Sequence, residues 1–255
     1  MLGLCIPLNY YFGLKGSLAA LFLSQLTVSC LNLFKLKNNY TILLNQSKES
    51  FDKPLLKFSF PVAMQELTYF ITQWGAPLLI TKYASLGEVG IYTAAAQWNA
   101  IILFIPGVLS NVVLSYLSTT AATNEQSHKT MIKRMLLINF VCSAIPFLIV
   151  FTLSSVIVSF YGKTFVGMRS VLNILIFSTI FTCLSNVFTS DLISQGKNWL
   201  LFILRASRDI IILVLLFFVL QLTNGINAAM NFAIINVVVA IAFLLMLLIC
   251  YRTKL

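Results

Sequence analysis

Apolar residues along this chain fall into seven long stretches separated by shorter polar segments. The stretches span residues 16–34, 58–80, 91–117, 134–158, 170–192, 199–221 and 228–250. A helix needs roughly 20 apolar residues to cross the hydrocarbon core of a bilayer, and each stretch is near or above that length. The pattern therefore predicts an all-α fold, a polytopic transmembrane bundle of about seven helices.

The polar segments between the spans predict how the chain is organised. The longest of them, residues 35–57, carries five lysines and is expected to be a cytoplasmic linker. The other connections are short, which is typical of antiparallel neighbours in an up-and-down bundle. Residues 58–255 are accordingly predicted to form a six-helix lobe. Residues 1–34 are predicted to hold the end of one transmembrane helix and a complete second one, so we expect the chain to be the C-terminal part of a longer transporter.

The basic residues predict the orientation of the spans. Of the 17 lysines and arginines, all but Lys15, Lys82, Lys163 and Arg169 lie in or beside alternate gaps. Because basic loops of inner-membrane proteins stay in the cytoplasm, a multi-pass protein with a cytoplasmic C-terminus in a bacterial inner membrane is predicted. The net charge of +10 is then explained by anchoring to anionic headgroups and does not indicate binding to nucleic acid.

Composition and motifs narrow the possible functions. With 59% hydrophobic and 9% charged residues, the chain cannot be a soluble domain. The five cysteines are scattered through apolar stretches, where they are expected to act as small packing residues. The single histidine, His128, is predicted to lie in a polar loop, and one histidine without clustered cysteines or carboxylates cannot build a zinc site. The sequence has no motif of a hydrolase, metalloprotease or nucleotide-binding protein, so neither an enzyme nor a cofactor is predicted.

Polar side chains recur at helical spacing inside several spans and favour a transport function. Such groups are costly to expose to lipid, so they usually face a bundle interior or a water-filled cavity. In the second span, Glu66, Tyr69 and Gln73 lie at positions i, i+3 and i+7 of one face, and Gln97 lies in the third span. Glu66 has no basic partner at helical spacing, so we expect it to line a cavity as a candidate for ion coupling. The alternative is a neutral acid that hydrogen-bonds to a neighbouring helix.

A polar stripe in the fifth span has two interpretations. It comprises Thr182, Ser185, Asn186 and Thr189. Serine, threonine and asparagine often hydrogen-bond across helix–helix interfaces in membranes, and that structural interpretation is favoured here.

Charged residues cluster on one face of the sixth span. Arg205 and Arg208 could face a cavity in the bundle interior, as charged groups within a span usually do. Alternatively, both could extend to the cytoplasmic headgroups, with Asp209 paired at i+4 to Arg205. Both interpretations stay open, and Asp209 is a second candidate for ion coupling.

Five passages, in the same order along the chain, resemble polysaccharide flippases of the Wzx type, within the multidrug/oligosaccharidyl-lipid/polysaccharide exporter superfamily. They are Ile6-Pro-Leu with Phe12-Gly-Leu-Lys-Gly-Ser-Leu-Ala-Ala, Phe58-Ser-Phe-Pro61, Gly87-Glu-Val-Gly-Ile-Tyr-Thr-Ala-Ala, Tyr161-Gly-Lys-x-Phe-x-Gly-x-Arg and Ile193-Ser-Gln-Gly-Lys. The resemblance implies the C-terminal lobe of a two-lobe flippase that works by alternating access.

The resemblance also implies a substrate and partners. Flippases of this type move an undecaprenyl-pyrophosphate-linked oligosaccharide to the outer leaflet for O-antigen or capsule synthesis. The expected partners are this lipid, membrane lipids, an N-terminal lobe, a polysaccharide polymerase and chain-length machinery. Tyr69, Trp74 and Trp98 are expected to stack on sugar rings. The candidate substrate-binding residues are Arg205, Arg208, Gln73, Gln97, Tyr69 and Trp74.

Other functions predict different features. An ion-coupled multidrug exporter of the same superfamily would be expected to carry more carboxylates in its cavity. A glycan polymerase or acyltransferase would be expected to carry a large outside loop with catalytic residues. A nonfunctional truncated remnant, or a structural partner, is a further alternative.

Overall fold

The computed structural model describes residues 10, 13, 15, 16, 19–34, 52–120, 125–162, 164, 165 and 167–252. The motif that begins at Ile6, the predicted end of an earlier helix and the linker residues 35–51 lie largely or wholly outside this range. The chain divides into two compact units, Met1–Pro54 and Leu55–Leu255. The first unit holds one apolar helix, and the second holds the functional site.

The described residues form seven helices and contain no strand, which confirms the predicted all-α fold. The helices are α1 (Ala19–Phe34), α2 (Asp52–Tyr83), α3 (Leu86–Thr120), α4 (Glu125–Tyr161), α5 (Met168–Ser194), α6 (Asn198–Leu222) and α7 (Ala228–Arg252). Each one contains most or all of one predicted apolar stretch.

Several helices extend beyond their apolar stretch. The helix α2 begins six residues before Phe58, and α4 begins nine residues before Arg134. Pro61, which the apolar pattern places in a first turn, therefore lies in the interior of α2. Helical hydrogen bonds do not require apolar side chains, so the helix can continue where the membrane-compatible sequence stops.

Among the described residues, four helices contain segments that are long and apolar enough to cross a membrane by themselves. These segments are Leu86–Leu109, His128–Tyr161, Met168–Ser194 and Ala228–Tyr251. The helix α6 has a similar length but carries Arg205, Arg208 and Asp209 within its first half. These findings support a multi-pass membrane protein, and the crossing of the bilayer by α1, α2 and α6 stays a prediction.

The helix α5 lies at the centre of the second unit. It packs against α3, α4 and α7, and more than half of its residues are buried, among them Leu172, Ile176, Cys183 and Val187. A separate apolar cluster joins α2, α6 and α7 through residues such as Ile80, Leu216 and Phe232. The helices α3 and α5 thus flank one side of an internal space, α2 and α6 flank the other, and α7 contributes to both groups.

The end of α2, the start of α3 and the start of α7 are predicted to face outward, and these three helix ends are in close contact. Glu88 at the start of α3 accepts a hydrogen bond from the backbone N–H of Ala229 in the first turn of α7, at 2.7 Å. A carboxylate at a helix N-terminus satisfies a free N–H and interacts favourably with the helix dipole. Gly225, in the loop before α7, has a φ of +74°, and a β-carbon built there would lie 2.1 Å from the carbonyl oxygen of Tyr83. Together, these residues form the outer clasp.

Candidate substrate cavity

A cavity of about 750 Å³ lies among α2, α3, α5, α6 and α7. Along α3 its lining runs from Val89 to Leu103, and along α5 from Leu175 to Thr189. Fourteen residues of helix correspond to about 21 Å, so the cavity is elongated along the bundle. Its length reaches from the outer clasp at one end to Arg205 at the other.

The six candidate substrate-binding residues all line this cavity, although they come from three different helices. They are Tyr69, Gln73 and Trp74 from α2, Gln97 from α3, and Arg205 and Arg208 from α6. Side-chain exposures of 51% for Tyr69 and 60% for Trp74 place both rings at the open side of the cavity. The tertiary structure thus brings the predicted residues together, and their roles in binding stay predictions.

Most polar residues that line the cavity are uncharged. Within the described part of the chain, Arg205, Arg208 and Asp209 are the charged residues of the lining. The neutral polar positions are Thr72, Gln73, Thr93, Gln97, Asn99, Ser178, Thr182, Ser185, Asn186, Thr189 and Asn236. Amides and hydroxyls supply both donors and acceptors, so such a lining suits a ligand with many hydroxyl groups.

Arg205 lies at the end of the cavity opposite the outer clasp, where α2 holds it. Its Nη1 donates a hydrogen bond to Oε1 of Gln65 at 3.1 Å, and Nε2 of Gln65 lies 3.4 Å from the carbonyl oxygen of Asn198. Gln65 is buried, so the contact is well shielded from solvent. The guanidinium of Arg205 therefore points back toward the start of α6, as an extension to the headgroups would require, and still lines the cavity.

Asp209 pairs with Arg208, so the predicted i+4 pair with Arg205 is wrong. Nε and Nη2 of Arg208 lie 2.8 and 2.7 Å from Oδ1 of Asp209. The guanidinium of Arg208 also lies over the ring of Phe243, with 5.1 Å between Cζ and the ring centroid. Arg208 is thus anchored between α6 and α7, and Arg205 is the cation of the lining that has no carboxylate bonded to it among the described residues.

The polar stripe of α5 lines the cavity, so the favoured assignment to a helix–helix interface is wrong. Thr182, Ser185, Asn186 and Thr189 all contribute to the lining. Thr182 and Thr189 donate hydrogen bonds to carbonyl oxygens of their own helix, whereas the Oγ of Ser185 is buried without a hydrogen-bond partner among the described residues. These side chains face the cavity because α5 packs against its neighbours through its apolar positions.

Glu66 and Trp98 were predicted to face the cavity, but neither lines it. Glu66 is exposed and does not line the cavity, although Tyr69 and Gln73 on the same helix face do. The neighbouring residue Gln65 is the one that points into the bundle at this height, where it contacts Arg205. Trp98 donates a hydrogen bond from Nε1 to the hydroxyl of Tyr161 at 3.1 Å and packs on the core of α3, α4 and α5, so it is not placed to stack on a ligand in the cavity.

Comparison with known proteins adds a family assignment to this geometry. Residues 10–138, just over half of the chain, match a family described as polysaccharide biosynthesis protein. The chain belongs to this family. No curated protein and no solved structure matches it. The match confirms the resemblance to polysaccharide flippases at the level of the family, and it indicates a role in the synthesis or transport of polysaccharide.

The family match covers only part of the cavity. It includes α1, α2 and α3, with Gln73 and Gln97, whereas α5, α6 and α7 lie beyond residue 138. The arginines and the α5 stripe of this polysaccharide biosynthesis protein therefore lie outside the matched residues.

Two asparagines of the cavity lining were missed by sequence reasoning. Asn99 donates from Nδ2 to the carbonyl oxygen of Leu175 at 3.0 Å and lies 3.4 Å from the hydroxyl of Ser178. Asn236 stands in the apolar α7 and donates to the carbonyl oxygen of Phe232 at 2.8 Å. An isolated asparagine inside an apolar span was the available signal, since such a group needs a polar surrounding.

A hydrogen-bonded pair of a histidine and a buried aspartate was also missed at the opposite end from the outer clasp. His128 lies in α4 and not in a loop, and its Nε2 is 2.8 Å from Oδ1 of Asp191 in α5. Nε2 of Gln195 donates to Oδ2 of the same carboxylate at 2.8 Å. A small cavity of about 170 Å³ adjoins this pair. Within the described residues, no three His, Cys, Asp or Glu side chains lie close enough together to hold a metal ion.

Proposed function

We propose that this protein translocates a lipid-linked oligosaccharide across the bacterial inner membrane, as part of polysaccharide synthesis and without catalysing a covalent step. The observation that carries the proposal is the combination of neutral polar and aromatic lining with a cationic inner end in one elongated cavity. The glycan lies along the amide and hydroxyl lining, and the pyrophosphate lies at Arg205.

Size and chemistry support this arrangement. The cavity volume of about 750 Å³ falls in the upper part of the range for small-molecule sites, which is roughly 300–1,000 Å³. Arginine binds phosphate oxygens well because its planar guanidinium offers several N–H donors in a fixed geometry. Tyr69 and Trp74 at the open side offer aromatic faces to sugar rings.

The alternative of a multidrug exporter for cationic compounds is less well supported. Such a cavity needs a carboxylate that can compensate the charge of the drug. Asp209 is the acidic residue of the described lining, and its charge is already compensated by Arg208 at 2.7 Å. The cavity therefore favours an anionic ligand.

A binding experiment distinguishes the two functions. The full chain in lipid nanodiscs is titrated with undecaprenyl-pyrophosphate-linked oligosaccharide and, separately, with the cationic dye ethidium. We expect the glycan lipid to quench tryptophan fluorescence through Trp74, and Trp74→Phe to remove most of that quenching. Trp199→Phe is the matched control, because Trp199 contacts Phe60 and Phe202 and lies outside the cavity. Ethidium binding that the glycan lipid displaces would favour the exporter and contradict the proposal.

The membrane orientation is tested by cysteine labelling. In a variant without native cysteines, single cysteines at Ser85 and Asn224 should react with an impermeant thiol reagent in intact cells, because both sites are exposed at the outer clasp. Cysteines at Asn45, Ser127 and Thr253 should be protected until the membrane is opened, because the basic ends stay in the cytoplasm. Labelling of Asn45 from outside would reverse the proposed orientation.

Ion coupling and assembly partners belong to the same proposal. Glu66 stays a candidate for coupling to a proton or cation. Alternating access would require an N-terminal lobe, and delivery of the glycan would connect the protein to a polymerase and chain-length machinery.

A further inference from the structure

Two buried polar atoms in the cavity lack a hydrogen-bond partner among the described residues. They are Oδ2 of Asp209 and Oγ of Ser185. Asp209 is 3% exposed and Ser185 is 4% exposed, and both line the cavity. A buried polar group without a bond is costly, so the pair is suited to bonds with a ligand that enters the cavity.

The two residues lie at the same depth in neighbouring helices. Ser185 is nine residues before the end of α5, and Asp209 is eleven residues after the start of α6. These ends are joined by a short turn, so the two side chains lie about 14 and 17 Å from the same end of the bundle. The two side chains therefore line the cavity at similar depths.

The chemistry of the pair selects the ligand group. Asp209 is fixed by Arg208 through Oδ1, which leaves Oδ2 as an acceptor only. The hydroxyl of Ser185 can donate and accept. A phosphate or carboxylate offers Oδ2 no donor and would be repelled by its charge. A neutral sugar ring offers neighbouring O–H or amide N–H donors that match both atoms.

We propose that Asp209 and Ser185 form the subsite for the sugar ring next to the lipid pyrophosphate, and that this ring is neutral and carries at least one free hydroxyl beside a second hydroxyl or an N-acetyl group. Arg205 lies one helical turn, about 6 Å, closer to the start of α6, which places the pyrophosphate on the inner side of this ring. The assignment rests on the proposed function, because it requires a glycan lipid in the cavity.

The test compares two lipids on the full chain in nanodiscs. The probes are undecaprenyl pyrophosphate and the same lipid that carries a single N-acetylglucosamine. We expect the wild type to bind the sugar-bearing lipid more tightly, and Ser185→Ala to lower the ratio of the two affinities several-fold. Asp209→Asn should lower this ratio by about tenfold, while the bare lipid binds more tightly because Arg208 is released.

Ser143→Ala is the matched control, because Ser143 is equally buried but bonds to the carbonyl oxygen of Asn139 in α4, outside the cavity. Its affinity ratio should equal that of the wild type. If the wild type binds both lipids and neither cavity variant changes the ratio, the sugar subsite is wrong and the proposed function stands. If Asp209→Asn instead removes a sodium or pH dependence of binding at an unchanged ratio, the carboxylate serves a cation and the assignment is overturned. If the wild type binds neither lipid, the proposed function and the subsite both fail.

Discussion

Replacing Arg205 and Arg208 together with alanine should weaken binding of the glycan lipid by roughly 100-fold or more, because each charge-assisted hydrogen bond contributes about 1.5–3 kcal/mol. Arg205→Ala alone should account for most of this loss, since Arg208 is already engaged by Asp209. Lysine at both positions should retain part of the affinity, because the charge remains but the bidentate geometry is lost. The affinity is measured by titration in nanodiscs, and transport by the movement of a labelled glycan lipid in vesicles.

Arg169→Ala is the matched control for this experiment. Arg169 lies in the first turn of α5, bonds through Nε to the hydroxyl of Ser154 and does not line the cavity. Its removal should leave the affinity for the glycan lipid unchanged. Membrane insertion of each variant is checked by size-exclusion chromatography of the purified protein. A double alanine variant that inserts normally and binds with the affinity of the wild type would reduce the two arginines to anchors at the headgroups.

Gly225→Ala is expected to cause the largest loss of stability among glycine-to-alanine substitutions at the described glycines, about 3–5 kcal/mol. The left-handed backbone at Gly225 costs an alanine roughly 1–2 kcal/mol, and the new methyl group would also lie 2.1 Å from the carbonyl oxygen of Tyr83. To relieve this contact, the loop before α7 must move away from the end of α2. The change is measured as a shift in the unfolding midpoint when dodecyl sulfate is added to the detergent-solubilised protein.

Gly196→Ala and Gly162→Ala separate the clash from the backbone strain. Both glycines also have positive φ values, +72° and +85°, but a β-carbon at either site meets nothing within 4 Å. These variants should therefore lose only about 1–2 kcal/mol. Equal losses in all three variants would show that the close approach to Tyr83 does not contribute. Because the outer clasp adjoins the cavity, Gly225→Ala should also weaken binding of the glycan lipid.

The helices themselves were predictable from the sequence. Seven apolar stretches predict seven helices, because a segment of that length in a membrane must satisfy its backbone hydrogen bonds internally. The resemblance to polysaccharide flippases was likewise available from local motifs, and the family match confirms it. The ends of the helices were less predictable, as α2 and α4 show, because polar residues can continue a helix beyond the bilayer.

The polar faces were predictable, but the contacts of their side chains were not. Periodicity correctly grouped Tyr69 with Gln73, yet it also grouped Glu66 with them, and Glu66 lies outside the lining. Asp209 pairs with Arg208 and not with Arg205, because Arg205 is bonded to Gln65, which lies far away in the sequence, in α2. The pair of His128 and Asp191 joins residues 63 positions apart, and no local pattern indicates such a contact.

The sequence by itself determined that this protein is a bundle of apolar helices with polar stripes and one end rich in basic residues, because length, periodicity and charge are local properties of the chain. Only the tertiary structure decided that the stripes of α2, α3, α5, α6 and α7 meet in one cavity. It also decided that the polar face of α5 turns inward and that Oδ2 of Asp209 is left for a ligand. These features depend on how each helix is rotated about its axis, and that rotation is fixed by packing between helices far apart in sequence, above all around the central α5.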